Sequence, residues 1–234
     1  MKLTNFIPVR WQDLQNKVAE ILTGCNFKTE VFKTIVSVRG KVEIDVYAED
    51  TISIPNSIYI IECKNWNTKV PQEKIHAFNT VVQNIGANHG LVISKSGFQP
   101  GAFEASKNTN LMLLSYSEFQ ELFKMRWVNG KLRYLQVLSE PLFEFTDYFS
   151  RKYNKQFYAL NDTEKEQFRK LIVYGNAVVR CSSSLINNME SLDHEIKQKT
   201  ELFNKDYESY EEYFDDIESR CLEGIEKYKK LLSL

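Results

Sequence analysis

Proline, glycine, cysteine and histidine are all scarce in this chain, and each scarcity removes a class of protein. Nine glycines and five prolines in 234 residues exclude collagen-like and low-complexity architectures. The four cysteines, Cys25, Cys63, Cys181 and Cys221, stand singly without a Cys-x-x-Cys, and none of the three histidines sits at metal-ligand spacing. A disulfide framework and a zinc site are therefore not expected, and the cysteines read as reduced thiols. No apolar run approaches the length of a membrane span. The stretch Met1–Pro8 lacks the apolar core and small-residue cleavage site of a secretory signal, so the expected location is cytoplasmic, with no membrane partner. Charge of one sign is also missing: the formal net charge is -1, which argues against indiscriminate binding to nucleic acid. Its distribution is uneven, since residues 1–129 carry 14 basic and 12 acidic side chains and residues 130–234 carry 16 and 19. Only the first part leans basic.

What is present is a hydrophobic content of 43%, enough for a sizeable core. Within it, the run Ile58-Tyr59-Ile60-Ile61-Glu62-Cys63-Lys64-Asn65-Trp66 reads as a buried strand closed by ionisable residues. Strand alternation puts Ile58, Ile60, Glu62 and Lys64 on one face and Tyr59, Ile61, Cys63 and Asn65 on the other. Glu62 and Lys64 therefore project together, and Cys63 reads as a small core residue facing away. A second alternating run, Val42 to Tyr47, carries Asp45, and the turn signals between Ala48 and Ser57 make the two runs neighbouring antiparallel strands. Such pairing brings Asp45 beside Glu62. Two carboxylates and a lysine form a recurrent set for phosphodiester hydrolysis, in which the acids bind a hard cation and the lysine offsets negative charge. The bland reading is an ion pair at a strand end with a solvated aspartate.

Asp45, then Glu62-Cys63-Lys64-Asn65-Trp66, then Val70, resembles the signature of Mrr-like restriction endonucleases in the PD-(D/E)XK nuclease superfamily. The resemblance extends upstream through Trp11–Gln15 and Val18–Leu22, and downstream through Gly86–Ser94 and Gly97–Ala102, covering about residues 8–123. It implies Asp45 and Glu62 as metal ligands, Lys64 as the catalytic lysine, Mg²⁺ as cofactor with Mn²⁺ as a substitute, and DNA as substrate. Two departures stand out. Ile44 precedes Asp45 where the superfamily motif often has proline, and Leu14-Gln15 stands where many Mrr-like domains have a glutamate. Gln15 is accordingly taken as a site residue that can orient by hydrogen bonding but brings no charge. On a helical wheel Trp11, Leu14, Val18, Ile21 and Leu22 form the apolar stripe, Gln15 borders it and Glu20 lies opposite.

Read in order, a helix over Val9–Thr23 precedes strands at Glu30–Val38, Val42–Tyr47 and Ile58–Lys64, with a turn at Arg39-Gly40-Lys41. Pro71 opens a helix whose stripe Ile75, Phe78, Val82 and Ile85 ends near Gly86. His76, Asn79 and Gln83 lie on its other face, and His76 and Gln83 are candidate contacts to a substrate backbone. Strand Leu91–Ser94, helix Pro100–Lys107, strand Leu111–Ser115 and a capped helix Ser117–Lys124 follow, an alternation that adds parallel strands. The expected fold is α/β: a restriction-endonuclease-like mixed sheet flanked by helices over residues 1–128, then a mostly helical region over 129–234 after the turn signal Asn129-Gly130.

The tail repeats every seven residues at Met189, Ile196, Phe203, Tyr210 and Ile217, and again at Tyr207, Phe214, Cys221 and Tyr228. Interleaved acids and lysines support a long helix, and the aromatic content favours packing on another helix or a homodimer over an ideal two-stranded coil. Two functions follow: a Mg²⁺-dependent endodeoxyribonuclease in restriction or anti-phage defence, or a catalytically silent nuclease fold that binds DNA as an assembly subunit of a DNA-processing or defence complex. Cleavage of RNA would use the same chemistry, but no aromatic platform to select it is visible in the sequence.

Overall fold

The structure, a computed structural model, describes residues 1–37, 40–146, 152–182 and 189–234. The described chain divides into two compact units, Asn5–Trp127 and Met1–Thr4 with Val128–Leu234.

The first unit opens with helix α1, Trp11–Gly24, whose start is secured by the Arg10 N–H donating to Asp13 Oδ2 at 2.8 Å. Strands β1 (Lys28–Ser37), β2 (Gly40–Asp50) and β3 (Ser57–Lys64) follow. Arg39 of the expected turn lies outside the described residues. Helix α2, Gln72–Ile85, starts after Pro71 and ends at Gly86, whose φ of 73° is the left-handed cap that glycine supplies without strain. Strand β4 (His89–Ser94), helix α3 (Pro100–Ser106), strand β5 (Leu111–Ser115) and helix α4 (Tyr116–Leu138) complete the order. The five strands stand in sequence order, antiparallel from β1 to β3 and parallel from β3 to β5. Both hairpin-like connections precede the site and both helical crossovers follow it, which is why the sheet changes sense at β3.

Alternation along β3 divides the core. Ile60 packs with Val92 beneath Ile75, Phe78 and Val82 of α2 and Ala102 of α3. Tyr59 faces the other way, where its ring meets Phe27 at 5.2 Å, and Phe27 meets Phe123 of α4 at 5.9 Å. Helices thus cover both faces. Trp11 is a correction to the expected stripe: Leu14, Val18, Ile21 and Leu22 are buried, but Trp11 is 49% exposed. A helical wheel gives direction but not where the sheet beneath the helix ends.

Helix α4 also corrects the sequence reading. It begins at Tyr116 with Ser115 as its cap, whose Oγ accepts the Glu118 N–H at 3.2 Å, and it runs through the expected Asn129-Gly130 turn. Burial of Val128, Leu132 and Leu135 overrides the cost of about 1 kcal/mol for a glycine in a helix.

The second unit contains α5 (Glu140–Thr146), α6 (Asn154–Ala159), α7 (Asp162–Ser182), α8 (Met189–Phe203) and α9 (Tyr210–Leu232). The single long tail helix expected from the heptads is two helices. Asn204 adopts a φ of 49°, and Ser209 caps α9 by accepting the Glu212 N–H at 3.2 Å. Tyr210, Phe214, Ile217, Cys221 and Tyr228 of the heptad rows are buried, and α9 packs on α5 and α7. Tyr228 stacks on Phe145 at 4.8 Å and meets Phe168 edge-on at 5.3 Å. The aromatic heptads therefore build this unit's own core. No helix among the described residues is long and apolar enough to cross a membrane.

Candidate active site

The β2–β3 ladder ends at the pair Val46 and Ile61. The next residues along the two strands are Asp45 and Glu62, at the point where the strands part. The Cys63 N–H, which has no ladder partner on β2, donates instead to Asp45 Oδ2 at 2.7 Å. A carboxylate thus replaces a backbone carbonyl in the gap. On the same face of β3, Lys64 Nζ pairs with Glu62 Oε1 and lies 4.9 Å from the centre of the Trp66 ring.

The electrostatics are those of a half-buried acid with a second acid close by. Burial pushes the Glu62 carboxyl above its ordinary range, the charge of Asp45 pushes it further, and Lys64 and Lys74 oppose. Cys63, on the opposite face, is buried, and its thiol is pushed well above its ordinary value by burial and then by Asp45 and Glu62. It is an inert core residue.

Gln15 is 3% exposed on α1, the helix that packs on β1, β2 and β3. Its Oε1 is buried and accepts no hydrogen bond among the described residues. A buried amide oxygen without a donor costs about 1–3 kcal/mol, which a cation or a bound water would relieve. Glu20, on the other side of α1, is exposed and pairs with Lys17. His76 and Gln83 are both exposed on α2. The ring of His76 meets the Gln72 side chain at 3.0 Å, and among the described residues no hydrogen bond or ion pair joins His76 or Gln83 to Asp45, Glu62 or Lys64.

Several residues near the trio escaped the sequence reading. Lys74, from the first turn of α2, acts on Glu62 through its charge. Lys95 donates its N–H to the Lys64 carbonyl at 3.0 Å, and its ammonium reaches Asn67 Oδ1 at 3.1 Å. With the exposed Lys69, these lysines form a basic margin in the segments leaving β3 and β4. Their signal was the density of lysine after Glu62, which carries no strand or helix period.

Among the described residues no three His, Cys, Asp or Glu side chains cluster as a metal site. The oxygen donors brought together here are the two carboxylates. That set still fits a small hard cation, because Mg²⁺ keeps several waters and takes only one or two protein carboxylates. The Glu62 carboxyl, pushed up by burial and by the charge of Asp45, is what such an ion would satisfy, and the buried Gln15 oxygen on α1 is a further polar atom with no partner among the described residues.

A mixed sheet with an acid on one strand and Glu-x-Lys on the next, at the point where they part, is the arrangement of the PD-(D/E)XK nuclease superfamily. Residues 8–123 match the model of the restriction endonuclease family Mrr_cat, so this part of the chain is an Mrr-like restriction endonuclease domain. A solved structure of a protein of unknown function, AF1548, is similar with a TM-score of 0.41 and 19% identity, over 46% of this chain and 59% of that one. The chain therefore spans less than two thirds of that protein's length. No curated protein matches the chain.

Proposed function

We propose that the chain is a Mg²⁺-dependent endodeoxyribonuclease in which Asp45 and Glu62 hold the cation, Gln15 contributes its amide oxygen, and Lys64 is the catalytic lysine. The observation that carries this reading is the pairing of Asp45 with the β3 backbone beside a half-buried Glu62–Lys64 pair. It is supported by the match of residues 8–123 to the restriction endonuclease family model. When bound, the cation supplies charge neutralisation on the phosphate and lowers the pKa of a coordinated water.

The remaining work falls to the chain's own side chains. Lys64, held between Glu62 and the Trp66 ring, directs a fixed positive charge at the phosphate as the P–O bond breaks, and its N–H groups can orient the attacking water. Lys69, Lys74 and Lys95 bind the phosphate backbone without reading bases. Gln15 adds an oxygen but no charge, so the site binds its cation with a single pair of acids. We read the biological setting as restriction or anti-phage defence in the cytoplasm, with the helical second unit as the surface for a second copy or a defence-complex partner. That setting rests on the family match alone.

Calorimetric titration with Mg²⁺ and Mn²⁺ tests the metal assignment. The native protein should bind either ion, and Asp45→Ala and Glu62→Gln should each weaken binding by at least about tenfold without altering the thermal melt. A protein that binds DNA, takes up no cation and cuts nothing would instead have the silent assembly role.

A further inference from the structure

Phe32 lies in β1 between Val31 and Lys33, which pair with Val46 and Ile44, so it stands across from Asp45. It has a φ of 56°, a left-handed backbone that is strained for an aromatic residue. Its side chain is 40% exposed. Trp11 meets it edge-on with ring centres 5.6 Å apart, and is itself 49% exposed. The segment leading to Trp11 is tied to the site from the other side, because Asn65 Nδ2 donates to the Val9 carbonyl at 2.9 Å. Asn65 follows Lys64 directly. Beyond it, Trp66 is 37% exposed, and its carbonyl is fixed by the Ser96 hydroxyl at 2.7 Å.

Two exposed rings in mutual contact, one on a strained backbone, thus stand at the β1 position opposite Asp45, and a third ring lies under the lysine. Large apolar rings left in water beside a phosphodiester site match the flat faces of nucleobases, which stack on aromatic side chains whatever their sequence. Bases inside an intact duplex are already stacked on each other and offer no free face. The lysines next to the rings supply the complementary charge for the backbone that carries such a base.

We propose that Trp11 and Phe32 form a stacking platform for an unpaired or extrahelical DNA base next to the cleaved phosphate, so that the substrate is DNA with a local unpaired site rather than uniform duplex. This rests on the nuclease reading of the same site. Phe32's conformation keeps the platform facing across from Asp45, and the Asn65–Val9 bond keeps Trp11 in register with Lys64.

The test uses the full chain carrying Lys64→Ala, to prevent cutting, and two duplexes in Mg²⁺: one fully paired with a central 2-aminopurine, the other with that base as a single-nucleotide bulge. The bulged duplex should bind about tenfold more tightly, with 2-aminopurine fluorescence quenched on binding. Adding Trp11→Ala and Phe32→Ala should remove both the quenching and the preference, while Trp11→Phe should retain them. Because Trp11 is exposed, these variants should keep their circular dichroism and melting behaviour. Equal affinity for the two duplexes, or quenching that survives the double alanine change, overturns the platform. Tighter binding of the same bulge made in RNA overturns the assignment to DNA. Cleavage by the native protein is scored separately. Preference without any cleavage leaves the platform standing and removes the nuclease reading; cleavage of both duplexes at one rate does the reverse.

Discussion

Gln15 is the residue at which the proposed site departs from an all-carboxylate set of donors. Its buried carbonyl oxygen has no donor among the described residues, and in the proposed site it would be a neutral donor where a carboxylate would add charge. Replacing it by glutamate should tighten Mn²⁺ binding on the order of tenfold in calorimetric titration, since affinity follows the number of anionic ligands. Gln15→Leu should weaken binding and, by removing the orphaned oxygen, leave the fold as stable or more so. Asp50, the last residue of β2, shows a purely structural carboxylate by contrast. It is 1% exposed, accepts two hydrogen bonds from the Arg126 guanidinium at 2.6 and 2.7 Å, and also takes the Ser53 hydroxyl and the Ile52 and Ser53 N–H groups. The Arg126 guanidinium holds its carboxyl well below the usual carboxylate range. A depressed folded-state pKa means that this stability is complete above the unfolded value of about 4 and fades as pH falls below it. Asp50→Asn should cost about 3 kcal/mol in urea unfolding at pH 7, the low end for a buried pair because Arg126 is one-third exposed. The same change should flatten the decline in stability below about pH 4.

At the scale of elements, strands and helices were legible where period and punctuation agreed. Alternation marked β2 and β3, and Pro71 and Gly86 bracketed α2. The parallel strands β4 and β5 followed from strand–helix alternation. Alternation also put Glu62 and Lys64 on one face, but it could not tell that the β2–β3 ladder stops one residue short of Asp45 and Glu62. That stop leaves the Cys63 N–H to the Asp45 carboxylate, and it depends on packing outside the strands' own sequence. The platform was illegible for a related reason: Trp11 scored as core on the wheel, and Phe32 is brought to it by a backbone conformation that no residue pattern announces. Close packing between elements gives its own prediction at Gly90 of β4. A Cβ there would sit 2.5 Å from Leu111 Cδ2 and 2.6 Å from Val82 Cγ2. Gly90→Ala should therefore destabilise the first unit by about 1–3 kcal/mol, read by thermal unfolding.

Across the whole molecule, the two units do not follow the chain's simple order. The N-terminal residues Met1–Thr4 belong with the helices of the second unit. The Tyr210 and Glu211 N–H groups at the start of α9 donate to the Lys2 and Leu3 carbonyls at 3.0 and 2.9 Å, and Leu3 is buried there. Nothing in residues 1–8 signals this, because a partner 200 residues away leaves no local period. Leu3→Ala should destabilise the helical unit by about 2–5 kcal/mol, while calorimetry should show the first unit melting as before. The central claim is that this first unit is a nuclease, and plasmid cleavage by purified protein tests it most directly. The native chain should nick or linearise DNA in Mg²⁺ and stop when EDTA is in excess, and Lys64→Ala should lower the rate at least about a hundredfold while keeping its fold and DNA affinity. Equal cutting by Lys64→Ala, or cutting that persists in EDTA, would contradict the assignment of Asp45, Glu62 and Lys64 as a metal-dependent catalytic site.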